Sequence, residues 1–316
     1  MGELVEIIVN SSDGTNISVY NKSMKTQKIK IAEIFHSLQG EGLWVGQPSV
    51  FVRTFGCNFQ CRGFGMPAGC KTDEPEEIVD TFLKENPGAS YEELPLAKTG
   101  CDSYASWHPK FKSLSPMLTV DSIVDEMEKV RYESTRFTKN NGSCHLVITG
   151  GEPLLGWQRA YPELLQKTKA AGYTHVTFET NGTQPIKDEL KDYMITEGIK
   201  SDIQHRFTFS VSPKLSCSGE SIDDALQPEV VANYCRYGTT YLKFVVANHD
   251  DLSDAVTFVN AYRDAGFHGG VFLMPMGGTP DSYNLTAPDV AKLCMIYGFR
   301  YSPRLQVDLW KNEWGT

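Results

Sequence analysis

The sequence predicts an α/β fold organised on a parallel sheet. Two patterns carry this expectation. From residue 119 onward, strand-like apolar runs alternate with segments of helical periodicity, and the polar and glycine-rich motifs fall where those strands end. The composition agrees: 41% hydrophobic residues in a chain of 316 can bury a large core. Alternating strands and helices imply βαβ crossovers, and ligands of such sheets sit at the carboxyl ends of the strands.

The elements follow in order. Residues 1–28 are polar, broken by Asn10-Ser11-Ser12-Asp13-Gly14, and read as an extension outside a single domain of residues 29–316. Its basic stretch, residues 22–30, reads as a solvated linker. A strand over 29–35 runs into the loop Gln39-Gly40-Glu41-Gly42, and a β-rich segment over 49–55 ends at Gly56-Cys57. Residues 62–100 are rich in Gly, Pro, Lys and Glu. They hold one short helical piece over 76–84 and read as an insertion.

Beyond it, Val120, Ile123, Val124 and Met127 mark a helix over 120–136. Strands over 145–148, 175–178, 207–211, 241–246 and 270–274 are predicted, with helices over 157–171, 223–236, 251–265 and 287–297. A last strand is expected over 304–307. The strand ends carry Thr149-Gly150-Gly151-Glu152, Glu179-Thr180-Asn181-Gly182, Ser212-Pro213-Lys214 and Met274-Pro275-Met276, so one rim of the sheet is the expected active face.

Charge narrows the function. A formal charge of −9 with no basic tract argues against direct nucleic-acid binding. The chain has no apolar run of about 18 residues, the length a membrane span needs. Its start lacks the charged and apolar regions of a secretory signal. A cytoplasmic protein is therefore expected, with its eight cysteines present as thiols.

Cys57 and Cys61 stand three residues apart in a loop leaving a strand, where two thiolates can bend toward one metal centre. Cys70 and Cys101 are the further candidates, so a four-cysteine zinc or closed cluster is one alternative. Cys144, Cys217, Cys235 and Cys294 lie beside or inside predicted core elements and read as small buried hydrophobes or spectators. None of the histidines stands at metal-ligand spacing. In Gly150-Gly151-Glu152-Pro153, the glycines admit a close backbone approach and Glu152 can accept from a protonated amine, although a tight turn has the same composition.

Residues 51–61, running Phe-Val-Arg-Thr-Phe-Gly-Cys-Asn-Phe-Gln-Cys, followed by Cys101-Asp102-Ser103-Tyr104-Ala105, resemble the cluster loop of 7-carboxy-7-deazaguanine synthases, a radical S-adenosylmethionine family. That family places its third cysteine three positions after the second. Here that position is Phe64, and the matching Cys101 follows after the insertion. The Gly-Gly-Glu-Pro motif about 90 residues downstream and the loop Leu38-Gln39-Gly40-Glu41-Gly42 match as well.

The resemblance implies a partial (β/α) barrel of the radical S-adenosylmethionine type. It also implies a 4Fe–4S cluster on Cys57, Cys61 and Cys101 with one iron left open for S-adenosylmethionine. It assigns Asp102, Ser103, Gly151, Glu152, Ser212, Pro213, Lys214, Met274, Pro275, Met276 and Gly277 to the cosubstrate. Leu38, Gln39, Gly40, Glu41, Arg53 and Thr149 are assigned to a pterin, with Glu41 able to receive two of its N–H donors. Arg53 takes its carboxylate and Ser103 binds Mg2+.

The implied reaction is a lyase reaction of 7-deazapurine biosynthesis. It contracts 6-carboxy-5,6,7,8-tetrahydropterin to 7-carboxy-7-deazaguanine with loss of ammonia. A flavodoxin-like electron donor and a homodimer come with the family. A glycyl-radical activase and a zinc-stabilised binding module are the other readings.

Overall fold

The computed structural model describes residues 5–10, 16–21, 26–134, 144–199 and 205–316. Strands β1 (Val5–Asn10) and β2 (Asn16–Asn21) pair antiparallel as a two-stranded sheet of their own. Residues 11–14, where the sequence break falls, and Arg136, the predicted end of the first long helix, lie outside the described residues.

The main sheet has nine strands: β3 (Lys28–Leu38), β4 (Pro48–Thr54), β5 (Met117–Thr119), β6 (His145–Gly150), β7 (His175–Thr180), β8 (Arg206–Val211), β9 (Thr239–Val246), β10 (Val271–Pro275) and β11 (Arg300–Tyr301). Their spatial order is β11-β10-β9-β8-β7-β6-β4-β3-β5. From β4 to β11 all neighbours run parallel. The expectation of a wholly parallel sheet is corrected at one edge, because β3 pairs antiparallel with both β4 and β5. A short loop can join antiparallel neighbours without a crossover helix, and only residues 39–47 separate β3 from β4. The end strands β5 and β11 do not pair, so the sheet is an open, partial barrel.

The helices are α1 (Glu74–Glu85), α2 (Val120–Ser134), α3 (Tyr161–Ala170), α4 (Asp188–Ile199), α5 (Ile222–Ala225), α6 (Pro228–Tyr234), α7 (His249–Asp264), α8 (Pro280–Tyr297) and α9 (Leu305–Trp310). The period of two along the strands explains the layering. Val50, Val52, Leu146, Ile148, Val176, Phe178, Phe209 and Phe244 face outward and form one core with Ile123 and Met127 of α2, Leu164 of α3, Leu190 of α4 and Phe258 of α7. The alternate residues Arg53, Thr149, Glu179, Ser210 and Lys243 line a cavity on the inner face.

Local chemistry moved several predicted boundaries. The helix expected over 157–171 opens as a 3-10 turn, Gln158–Ala160, before α3. The one expected over 223–236 divides, because Pro228 has no N–H to continue α5 and instead starts α6. Helix α8 begins earlier than the predicted residue 287, where Thr279 and Ser282 form a reciprocal cap.

The last predicted strand, over 304–307, is wrong. The strand is β11, and Leu305 begins α9 with its N–H donating to Gly40 O at 3.0 Å. Lys28 to Lys30 belong to β3 rather than to a linker.

Segment 62–100 contains α1 and builds a second apolar cluster. In it Val79, Tyr91, Leu94 and Ala97 pack with Tyr104, Ala105 and Phe111, against which Trp314 also lies. Among the described residues, no helix is long and apolar enough to cross a membrane.

Candidate active site

A cavity of about 1090 Å³ opens at the carboxyl ends of the strands and extends into the concave face. Cys57, Cys61, Asp102, Ser103 and Gly151 line it with Arg53, Thr149, Ser212 and Lys214, so chemistry scattered from Arg53 to Lys214 shares one space. Residues 63–71 of the predicted insertion form part of its wall.

Cys57 and Cys101 pack against the small cluster of Phe59, Cys61 and Ala225, which brings the three expected thiols together. Burial pushes the Cys57 thiol up to about 12, with the neighbouring Glu152 and Cys101 adding to the effect and Lys214 opposing it. Burial raises Cys61 and Cys101 as well. Cys57 and Cys61 both respond to Cys101 and to Lys214, whereas Cys70 borders the cavity but is exposed and stands outside this cluster.

Among the described residues no group of three His, Cys, Asp or Glu side chains could hold a single metal ion. Three converging thiols that do not close on one ion fit a polynuclear cluster, whose ligands bind separate irons. Iron would also supply the positive charge that makes the buried thiolates stable.

The loop that carries the cysteines is held by backbone geometry. Cys61 adopts φ 54°, and Glu220 Oε1 accepts from both Gln60 N (2.8 Å) and Cys61 N (2.6 Å). Glycine at 151 has a packing reason: an added Cβ would lie 2.5 Å from Gly56 O and 2.7 Å from Cys57 Cβ. Cys101 Sγ stands 3.5 Å from Ser103 Oγ. The Trp107 indole N–H is buried without a hydrogen-bond partner.

Glu152 is placed differently from expectation. It is fully buried and does not line the cavity. Its oxygens accept from Leu154 N (2.9 Å), Thr180 Oγ1 (2.8 Å) and Asn181 N (2.6 Å). A carboxylate so occupied locks the end of β6 to the end of β7 rather than reaching for an amine. Pro213 and Pro275 also lie outside the cavity lining, whereas Met274, Met276 and Gly277 belong to it. Lys214 Nζ donates to Ser212 O at 2.9 Å and Ser212 Oγ at 3.2 Å, which folds the Ser-Pro-Lys turn on itself.

The other side of the cavity is ionic. Arg53 Nε donates to Glu33 Oε2 at 2.8 Å, and its guanidinium carbon lies 5.7 Å from the Phe35 ring centre. Burial works to lower the Arg53 pKa, but Glu33 outweighs it and keeps the group charged. Gln39 Nε2 donates to Glu179 Oε1 at 3.0 Å, while Gln39 Oε1 accepts from Glu41 N at 3.1 Å.

Glu41 borders the cavity, yet its carboxylate is engaged by the chain itself. Lys243 Nζ and Gln306 Nε2 (2.6 Å) donate to it, as does Arg304 Nε (3.3 Å). Burial would raise its pKa, but Lys243 and Arg304 hold it down to about 2. The two N–H donors expected from a ligand are thus supplied from within. Ser210 Oγ and Gln306 Oε1 line the cavity without partners, and such buried polar atoms mark where ligand groups can bind.

Lys243, Glu33, Glu220, Arg304 and Gln306 were not among the predicted site residues. One signal existed for Lys243, a lone charge inside the apolar run Tyr241-Leu242-Lys243-Phe244-Val245, which a buried strand tolerates only when the charge is paired. The others carried no local mark.

No protein-family model matches the chain. Among curated proteins it is 32% identical over 291 residues to the 7-carboxy-7-deazaguanine synthase of Halobacterium salinarum, spanning 90% of this chain and 91% of the relative. It is 29% identical to that of Pyrobaculum aerophilum, over 92% of this chain and 98% of the relative. The crystal structure of QueE from Escherichia coli aligns with 87% of this chain and 93% of its own, at 19% identity and a TM-score of 0.49. With three thiols gathered at the strand ends and a relative matched along nearly its whole length, this chain belongs to the 7-carboxy-7-deazaguanine synthase family.

Proposed function

We propose that the protein converts 6-carboxy-5,6,7,8-tetrahydropterin to 7-carboxy-7-deazaguanine and ammonia as a radical S-adenosylmethionine lyase. The observation that carries this reading is the meeting of three thiols with an ionic, hydrogen-bonding pocket inside one cavity.

Cys57, Cys61 and Cys101 would hold a 4Fe–4S cluster. Bound by three thiolates, such a cluster supplies one-electron chemistry to S-adenosylmethionine at its open iron. Lys214, Ser212 and the backbone at Gly151 border the space for the cosubstrate, with Met274, Met276 and Gly277 on its other side. Glu152 acts from behind by fixing Asn181 and Thr180. Arg53 offers a fork of donors to the substrate carboxylate. Gln39, Glu179 and Thr149 present acceptors and donors to the pterin edge. Ser103 supplies a hard oxygen for Mg2+ next to Cys101.

Segment 62–100, an insertion in this reading, either shields the cluster from oxygen or docks a flavodoxin-like electron donor. Strands β1 and β2 belong to an extension outside the catalytic domain in this reading.

The test is anaerobic reconstitution with iron and sulfide, followed by incubation with S-adenosylmethionine, dithionite, Mg2+ and the carboxypterin. Product of the expected mass with release of ammonia is the predicted result. It should vanish in Cys101→Ser along with the bound iron. A brown protein that cleaves S-adenosylmethionine yet leaves the pterin intact would count against this substrate and favour another radical enzyme. A colourless zinc protein would end the proposal.

A further inference from the structure

The 38–42 loop assigned to the pterin, Asp102 beside Cys101 and the Gly277 turn after β10 meet at one side chain. Arg304 is 7% exposed and directs its donors three ways. Its Nε donates to Glu41 of the 38–42 loop at 3.3 Å, its Nη2 to Asp102 beside Cys101, and its Nη1 to Gly277 O beyond β10. The residues around it tighten the same junction. Leu305 N donates to Gly40 O at 3.0 Å, Gln306 Nε2 to Glu41 at 2.6 Å, and Ser302 Oγ accepts from Gly42 N at 2.8 Å.

We infer that Arg304 is a positioning residue that ties the substrate loop to the cosubstrate side of the site, so that the two ligands are held in one frame. The inference rests on the proposed function for which ligand each loop contacts, but the link itself is geometric.

The chemistry suits arginine alone. A planar guanidinium serves two carboxylates and a carbonyl at once in fixed directions, whereas a lysine ammonium is a point charge on a flexible stem. The two carboxylates also differ in what else supports them. Glu41 keeps Lys243 and Gln306 if Arg304 is lost, while Asp102 has no second cation among the described residues. Disturbing Arg304 should therefore release the Asp102 side first. Such a change weakens cosubstrate binding more than it weakens the fold.

The experiment is a double-mutant cycle on protein carrying its reconstituted cluster, with Arg304→Lys, Asp102→Asn and the pair. S-adenosylmethionine affinity is read by calorimetry and by the change it causes in the reduced cluster's EPR signal. Iron content and unfolding temperature are controls.

Loss of a charge-assisted hydrogen bond should weaken cosubstrate affinity roughly tenfold in each single variant. The pair should be no weaker than the worse single. In the same variants the KM for the pterin should rise in Arg304→Lys but not in Asp102→Asn. Additive losses in the cycle, or an Arg304→Lys protein with unchanged affinities, would overturn the inference. If Arg304→Lys fails to fold, Arg304→Gln takes its place, and Asp102→Asn with unaltered cosubstrate affinity overturns the link from its other end. Because cosubstrate binding needs no pterin turnover, a failure of the proposed reaction leaves this result readable.

Discussion

Two layers of the same concave face have opposite electrostatics. Near the amino ends of the parallel strands, Ser49, His145 and His175 stand side by side across β4, β6 and β7. His145 hydrogen-bonds Ser49 Oγ and Thr177 Oγ1, each at 2.8 Å, and His175 lies 3.2 Å from Thr208 Oγ1 with its ring against Trp44. Further along the strands, Arg53 pairs with Glu33, and Lys243 and Arg304 pair with Glu41.

Both layers are enclosed, yet the histidines are held neutral while Glu41 is held ionised; burial raises Glu33 in spite of Arg53. Burial pushes His145 down to about 3 and His175 to about 4, with the nearby His175 and Arg206 charges adding to each in turn. Glu41, equally enclosed, is driven to about 2 because two cations face it. Burial alone removes charge, whereas burial between two cations keeps it at Glu41. The ionised layer is the one that borders the cavity.

This contrast can be broken at several points. The largest effect should follow Arg53→Met, which leaves Glu33 buried without its cation. We expect a loss of about 3–5 kcal/mol in stability and of roughly 100-fold or more in kcat/KM for the pterin. Adding Glu33→Gln should restore most of the stability, read by denaturant unfolding, and none of the activity. Recovery of both would show that Arg53 is structural only.

Lys243→Met should cost less, about 2 kcal/mol, because Glu41 retains Arg304 and Gln306. A loss as large as that of Arg53→Met would mean that Arg304 does not share the charge.

The neutral layer should show itself in pH. A histidine whose folded pKa lies below its ordinary 6.5 binds a proton more readily when unfolded, so its contribution is present above pH 6.5. That contribution is lost as pH falls toward 4 for His175 and toward 3 for His145. Glu41 adds its own loss only below its ordinary 4.5, down to about 2. Unfolding temperature measured across this range should therefore decline in two stages. His175→Gln should flatten the upper stage, and an unchanged upper stage would remove the histidines from the account. The smallest effect is expected from Cys70→Ser, which should leave reconstituted iron content and spectrum as they are; a measurable loss of iron would make Cys70 a ligand.

Much of the fold was legible because strands such as Val50-Phe51-Val52 and Phe207-Thr208-Phe209 alternate faces with a period that residue type reveals. Glycine at 151 and the spacing of Cys57 and Cys61 were legible for a similar reason, since each meets a short-range demand. The backbone partners of Glu152 were not legible, because a carboxylate after two glycines reads alike whether it faces a ligand or its own backbone. The 304–307 segment was misjudged because its alternation of Leu305 and Val307 suits a strand. What makes it a helix is its docking on Gly40.

By itself, the sequence determined the α/β class and the rim on which the motifs gather, because local periodicity and strand-end chemistry are written in neighbouring residues. Only the tertiary structure decided which charges survive burial, since that depends on partners such as Glu41 and Arg304, which lie far apart along the chain and meet only when the barrel folds. Coulombic pairing acts through distance in space, and sequence separation leaves no trace of it.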